Sequence, residues 1–185
     1  MIEQHGGTTR PSGAFVRIEH AGNFRSDAAT SERWRRAEIV QAPQPVCLYT
    51  FGDYFVDALG GYGSRGRFPF RTLLDAGWSP SASSDVWVGS EREATSPMFG
   101  VWCCVARESY GGTIIDAEEA LTVPEALRLH TLGALRQSDR ITLKGSLVAG
   151  KLADLAVLER DPHTCAAADL CRLRVDLTVV NGEVV

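Results

Sequence analysis

Several things are missing from this 185-residue chain, and each omission removes a class of function. No CxxC pair occurs among its five cysteines (Cys47, Cys103, Cys104, Cys165 and Cys171), so cysteine-based zinc ligation has no spacing to stand on. The adjacent Cys103 and Cys104 lie in an apolar helical run, and all five read as reduced, packed thiols. No window approaches the ~18 consecutive apolar residues of a membrane span. The opening Met1-Ile2-Glu3-Gln4-His5-Gly6-Gly7 has no basic region followed by an apolar one, so no secretory leader is expected and the expected compartment is the cytoplasm. Nineteen Lys and Arg stand against 23 Asp and Glu, a net charge of -4, which gives neither nucleic acid nor an anionic membrane an electrostatic hold. Gly60-Gly61-Tyr62-Gly63 is not followed by Gly-Lys-Ser/Thr and makes no phosphate loop. Internal repeats and low-complexity tracts are absent too.

What is present suits a soluble α/β domain, with 44% hydrophobic residues and 23% charged ones. Residues 1–13, with Gly6-Gly7 and Pro11-Ser12-Gly13, read as a frayed helix end and a turn. Ala14 to Glu19 alternates as a strand. Ser26 to Glu38 reads as a helix capped by Ser26 or Asp27, and Ile39 to Ala42 as a short strand stopped by Pro43 and Pro45. Aromatic and glycine-rich residues 47–66 suggest a long functional loop. Phe70 to Ala76 reads as a helix closed by Gly77, and Ser79 to Ser84 as a third strand ending at Asp85. After a loop over 86–96, Pro97 opens a helix to about Glu108. Thr122, with Glu125 three residues on, is a capping box. From Asp139 on, short strands and turns take over, with a short helix near Ala166 to Leu170. Strands alternating with helices predict parallel βα units over 1–137 and a β-rich segment over 138–185.

Two spots carry chemistry. His20 follows Arg17-Ile18-Glu19 at a strand end, and Asp85 follows Ser83-Ser84 at another. In βα-barrels such ends collect catalytic groups, and a carboxylate there can bind a metal or take a proton from water. Taken singly, each also fits a plainer role: His20 as a satisfied polar residue, Asp85 as a turn cap. Glu19 is placed opposite His20 by the pleat, on the face it shares with Arg17, so an Arg17–Glu19 pair is expected. Arg65 and Arg67, beside Tyr62 and Phe68, are candidates for binding a substrate carboxylate, or a solvated loop. His130 reads as core or helix surface, and His5 and His163 lie in turn-rich surroundings.

The ordered set Arg17-Ile18-Glu19-His20-Ala21, Gln44-Pro45, Arg67 to Gly77, Ser84-Asp85, Glu118 to Thr122 and Lys144 to Leu158 resembles the C-terminal part of the amidohydrolase superfamily, and its nearest branch is amidohydrolase family 3, the YtcJ-like enzymes. In Lys144 to Leu158 the pattern is a short strand, a glycine-lysine turn and a buried strand opened by Asp154, with Leu177 to Val185 as a terminal hairpin. The resemblance implies about the last three βα units of a (β/α)8 barrel, followed by part of a small composite β-sandwich. It implies a divalent metal, usually zinc, with His20 and Asp85 as ligands and Asp85 as the catalytic proton carrier. Small amides or cyclic amides are the implied substrates, cut at a non-peptide C–N bond. The family's remaining ligands have no counterpart here, and one histidine and one aspartate fall short of the three protein ligands of a catalytic zinc. The isolated chain is therefore expected to bind metal weakly and to be inactive alone. Self-association, or pairing with a chain that supplies the missing strands, is the expected partnership. An inactive remnant or interaction module is the alternative, and an unrelated small α/β binding protein a third reading.

Overall fold

A computed structural model describes residues 16–59, 66–86, 92–136 and 142–185. The expectations placed on residues 1–13, on Gly60 to Gly63, on Arg65 and on the boundary near 137 lie outside these residues. The described part is α/β. Strand β1 (Val16–Glu19) pairs in parallel with β2 (Ile39–Ala42), Val16 opposite Ile39 and Glu19 opposite Ala42. Helix α1 (Ala28–Arg36) connects them. Asp27 caps it, accepting from the Thr30 amide at 2.8 Å, and Arg33, Arg35 and Arg36 sit in the last turn, where cations oppose the helix dipole. Arg35 then donates to the Ala76 carbonyl at 2.9 Å and lies over the Trp78 ring.

The segment expected as a third strand is extended but is not a regular strand, and two prolines explain why. Ser81 N–H donates to the Gln41 carbonyl and Ser83 N–H to the Pro43 carbonyl, both at 3.1 Å, as a parallel neighbour of β2 would. The return donors of a parallel ladder would be the amides of residues 43 and 45. Both are proline and have no N–H. The seam between β2 and 81–83 is thus bonded in one direction. Among the described residues the strands close no barrel.

The expected loop over 47–66 is largely helix, α2 (Pro45–Leu59). Pro45 suits a first helical turn, and Val46, Cys47 and Leu48 are buried. Gly52, which reads as a loop signal, is a packing glycine: a Cβ there would meet the Ser109 and Ile115 side chains at 3.2 Å. Helix α3 (Phe70–Asp75) forms as expected. Helix α4 (Pro97–Ala106) stops short of Glu108 because Arg107 takes a left-handed backbone. Every residue from Met98 to Cys104 is buried, so α4 is apolar all round and packs between α2 and a 3-10 helix at Ala167–Arg172. Tyr49 meets Phe99 and Trp102 edge-on, ring centroids 5.1 and 5.7 Å apart. Cys47, Cys103 and Cys104 are buried and free, while Cys165 and Cys171 are half-buried. Burial pushes the Cys104 thiol up to about 12, so it packs as an inert hydrophobe.

Arg107 joins these layers. It is fully buried, and its guanidinium donates to the carbonyls of Ile115, Phe68 and Arg67 at 2.9, 2.8 and 3.0 Å. Burial pulls its pKa down to about 10, which still leaves it charged at neutrality. Helix α5 (Val123–Arg128) has the expected capping box and widens into a π turn at Leu129–Gly133 before α6 (Ala134–Arg136). Leu129 gives its carbonyl to the Ala82 amide at 3.1 Å. A side chain at Gly133 would strike the Pro80 carbonyl, so glycine lets the helix approach 80–82 this closely.

In the tail, β3 (Leu155–Leu158), β4 (Val175–Val180) and β5 (Glu183–Val184) form an antiparallel sheet in that order. Asn181 and Gly182, both at positive φ, make the two-residue hairpin turn. Two expectations change. Residues 144–148 form bends and irregular backbone rather than a strand, and β3 is half-buried at Leu155 and Leu158 and exposed between them, with Val157 at 45%. Asp154 is the staple of the region: it accepts from Lys144 at 2.9 Å and from the Asn181 amide at 2.8 Å. No helix among the described residues is long and apolar enough to cross a membrane.

The Arg71 fork and Thr122 hold the Glu125 carboxyl down to about 2, against an ordinary 4.5. A depressed carboxylate contributes stability above its unfolded pKa and loses it as pH falls through the folded one. Thermal unfolding followed between pH 5 and 2 should show this decline between about 4.5 and about 2, and Glu125→Gln should flatten it.

Candidate functional site

His20 and Asp85 come together. The β1 chain runs one residue past its last strand position, where His20 N–H donates to the Ala42 carbonyl at 3.1 Å, and there turns away. His20 and Asp85 both adopt left-handed backbone, φ 63° and 49°. For residues with a side chain this is a sparsely used region, costing about 1–3 kcal/mol and found preferentially at functional sites. Across the intervening end of β2, His20 Nδ1 lies 4.0 Å from Asp85 Oδ2, with the side chains 59% and 42% exposed. The pair is open to solvent and too far apart for a direct hydrogen bond. Nitrogen and carboxylate oxygen are the donor types a divalent transition metal takes, at ~2.0–2.2 Å each, so one ion could bridge them.

Glu19 pairs with Arg17 at 2.5 Å, as expected, with both side chains about half exposed. Its other oxygen, however, lies 3.4 Å from the side-chain amide of Gln44, a fully buried residue to which the sequence assigns no role beyond its place in the ordered set. Gln44 also donates to the Ala42 carbonyl at 2.7 Å and to Ser83 Oγ at 3.1 Å. Asn23, three residues after His20, donates to Gln44 Oε1 at 3.0 Å and accepts from the Gln44 amide at 2.8 Å. A polar residue flanked by two prolines at a strand end was the available signal.

Arg67 is buried. Its guanidinium meets Asp116 at 3.0 Å, and the same carboxylate accepts from the Gly66 and Arg67 amides at 3.1 and 3.0 Å. Its charge is met from within the fold rather than offered to a substrate carboxylate. Arg65, the companion candidate, is outside the described residues. His130 is half-buried; its Nδ1 lies 2.9 Å from the Ala126 carbonyl, and its ring fills the space that Gly100 leaves on α4. Burial lowers its pKa, as expected of an imidazole packed into the fold.

Among the described residues, no group of three or more His, Cys, Asp or Glu side chains is disposed to hold a metal ion. The donors present therefore fit a divalent metal as two ligands of a shell that needs at least one more.

Known proteins match nearly the whole of this chain. A profile described as the amidohydrolase family matches residues 2–185. An N-substituted formamide deformylase from Arthrobacter pascens is 34% identical over 98% of this chain and 33% of its own length. A putative amidohydrolase, YtcJ, from Bacillus subtilis strain 168 is 29% identical over 100% of this chain and 34% of its own. The chain thus spans about a third of the length of the curated relatives it matches. Among solved structures, an uncharacterized metal-dependent hydrolase from Pyrococcus horikoshii OT3 shares the fold, with a TM-score of 0.69 and 23% identity over 90% of this chain and 32% of that one.

Removing the partner of the buried Arg67 leaves an unpaired interior charge. Asp116→Ala should therefore cost about 3–5 kcal/mol in urea unfolding.

Proposed function

Since this chain belongs to the amidohydrolase family, we propose that it is the C-terminal portion of a metal-dependent hydrolase of non-peptide C–N bonds, with His20 and Asp85 as its contribution to the reacting centre. In this reading β1, β2 and the extended 81–83 segment are the last three strands of a (β/α)8 barrel. His20 and Asp85 then stand on the rim at the strands' C-terminal ends, where barrel enzymes build their sites. The observation that carries the proposal is their 4.0 Å approach from segments 65 residues apart.

His20 and Asp85 would hold a divalent metal, usually zinc in this family, which when bound supplies a Lewis acid and a more acidic water. The remaining ligands come from residues outside this chain. Asp85 has the proton work. Its carboxylate accepts a proton from water as the water oxygen bonds to the amide carbon. The C–N bond then breaks, and the same proton passes to the departing nitrogen. Amide and water become carboxylic acid and amine, and Asp85 ends as it began. The half-exposed position of Asp85 leaves it open to both transfers. N-substituted formamides are the substrate class supported most directly, through the 34% identical deformylase, and formate and a primary amine would be the products.

The test joins this chain in frame to the upstream two-thirds of the Arthrobacter deformylase and measures formate release from an N-substituted formamide. The chimera should be active with zinc. Asp85→Asn should lower kcat by about 10²–10⁴-fold without lowering the melting temperature, because asparagine tolerates left-handed backbone. A folded chimera that stays equally active after Asp85→Asn would end the proposal.

A further inference from the structure

We infer that Gln44 is the positioning residue of the His20–Asp85 pair: beside a seam where Pro43 and Pro45 can donate no backbone hydrogen bond, its side-chain amide holds the Ser83 hydroxyl instead. The inference rests on reading that pair as the functional centre. A regular parallel neighbour of β2 would receive an N–H at the Ser81 carbonyl and another at the Ser83 carbonyl, and proline stands at both donor positions. The strand end that carries Asp85 therefore has no backbone donor holding it from the β2 side at that level.

Gln44 lies between the two prolines and is 1% exposed. One arm reaches Ser83 Oγ at 3.1 Å, two residues before Asp85. The other N–H goes to the Ala42 carbonyl at 2.7 Å, the same carbonyl that accepts from His20 N–H, while Glu19 Oε2 lies farther off at 3.4 Å. Its carbonyl and its own backbone amide close a two-way pair with Asn23, at 3.0 and 2.8 Å. Asn23 in turn donates its backbone N–H to the His20 carbonyl at 3.0 Å and accepts from the Phe68 amide at 2.6 Å. A single buried amide thus ties the segments on both sides of the pair, and nothing in its own position requires contact with substrate. Its donor–acceptor pattern is directional: a carboxylate at 44 would face the Ala42 carbonyl and Glu19 with no proton to give.

NMR of the full labelled chain tests this through the nuclear Overhauser contact between the His20 ring and the Asp85 side chain. Wild-type protein should show the contact. Gln44→Leu and Gln44→Glu should lose it while the core signals of Val101 and Leu170 stay in place. Thr122→Ala, which removes a distant helix cap, should keep it, which separates positioning from general loss of stability. Ser83→Ala cuts one arm and leaves the buried amide intact, so it decides the matter if the Gln44 variants do not fold; it should weaken the contact. A folded Gln44→Leu protein, or failing that a folded Ser83→Ala protein, with an undiminished contact would overturn the inference and leave the reading of the pair standing. A wild-type chain without the contact would overturn that reading itself, and this inference with it.

Discussion

The architecture turns on one buried cation. The Arg107 guanidinium donates to three backbone carbonyls, from Arg67, Phe68 and Ile115, and among the described residues no carboxylate bonds to it. Burying a charge is costly unless its donors are met, and here they are met by main chain from two different loops. Those loops must therefore stay where they are for α4 to end where it does. The left-handed backbone of Arg107 ends the helix and swings the side chain back under the 66–70 segment. Next door, Asp116 neutralises Arg67 and caps the amides of the same segment. The segment entering α3, and through it the 81–83 extension, is built on this arrangement.

Above that base, the candidate site is made from departures from regular structure. Two residues with left-handed backbone carry the imidazole and the carboxylate, two prolines strip donors from a strand edge, and a π turn offers a carbonyl to Ala82. Each departure is local, and the π turn reaches Ala82 through the close approach that Gly133 permits. The pattern accords with the general tendency of functional sites to concentrate strain that the surrounding fold holds in place.

The legible parts of the sequence were those with a local cause. The Asp27 cap, the capping box at Thr122 and Glu125, Pro97 opening α4 and the Asn181-Gly182 hairpin all follow from side chains acting on neighbouring backbone. His20 and Asp85 were legible through strand ends and family resemblance. The helix over Pro45–Leu59 was not, because Gly52 and the aromatic cluster imitate loop composition when their real cause is contact with Ser109, Ile115, Phe99 and Trp102. The role of Arg67 was hidden likewise: its partner Asp116 lies 49 residues away, and no local pattern announces such a pair. Gln44 shows the same limit, since its four partners come from four separate positions in the chain.

The tail sheet has a thermodynamic consequence of its own. Cross-strand pairing puts Leu155, Val157, Leu177, Val179 and Val184 on one face, and Val157, Leu177 and Val184 are 45%, 38% and 65% exposed. Water must wet this face, and the free energy of doing so grows with lyotropic salts such as sulfate and shrinks on cooling. The colloidal behaviour of the chain is thereby coupled to solvent composition through a patch of aliphatic surface, independently of any chemistry at His20 and Asp85.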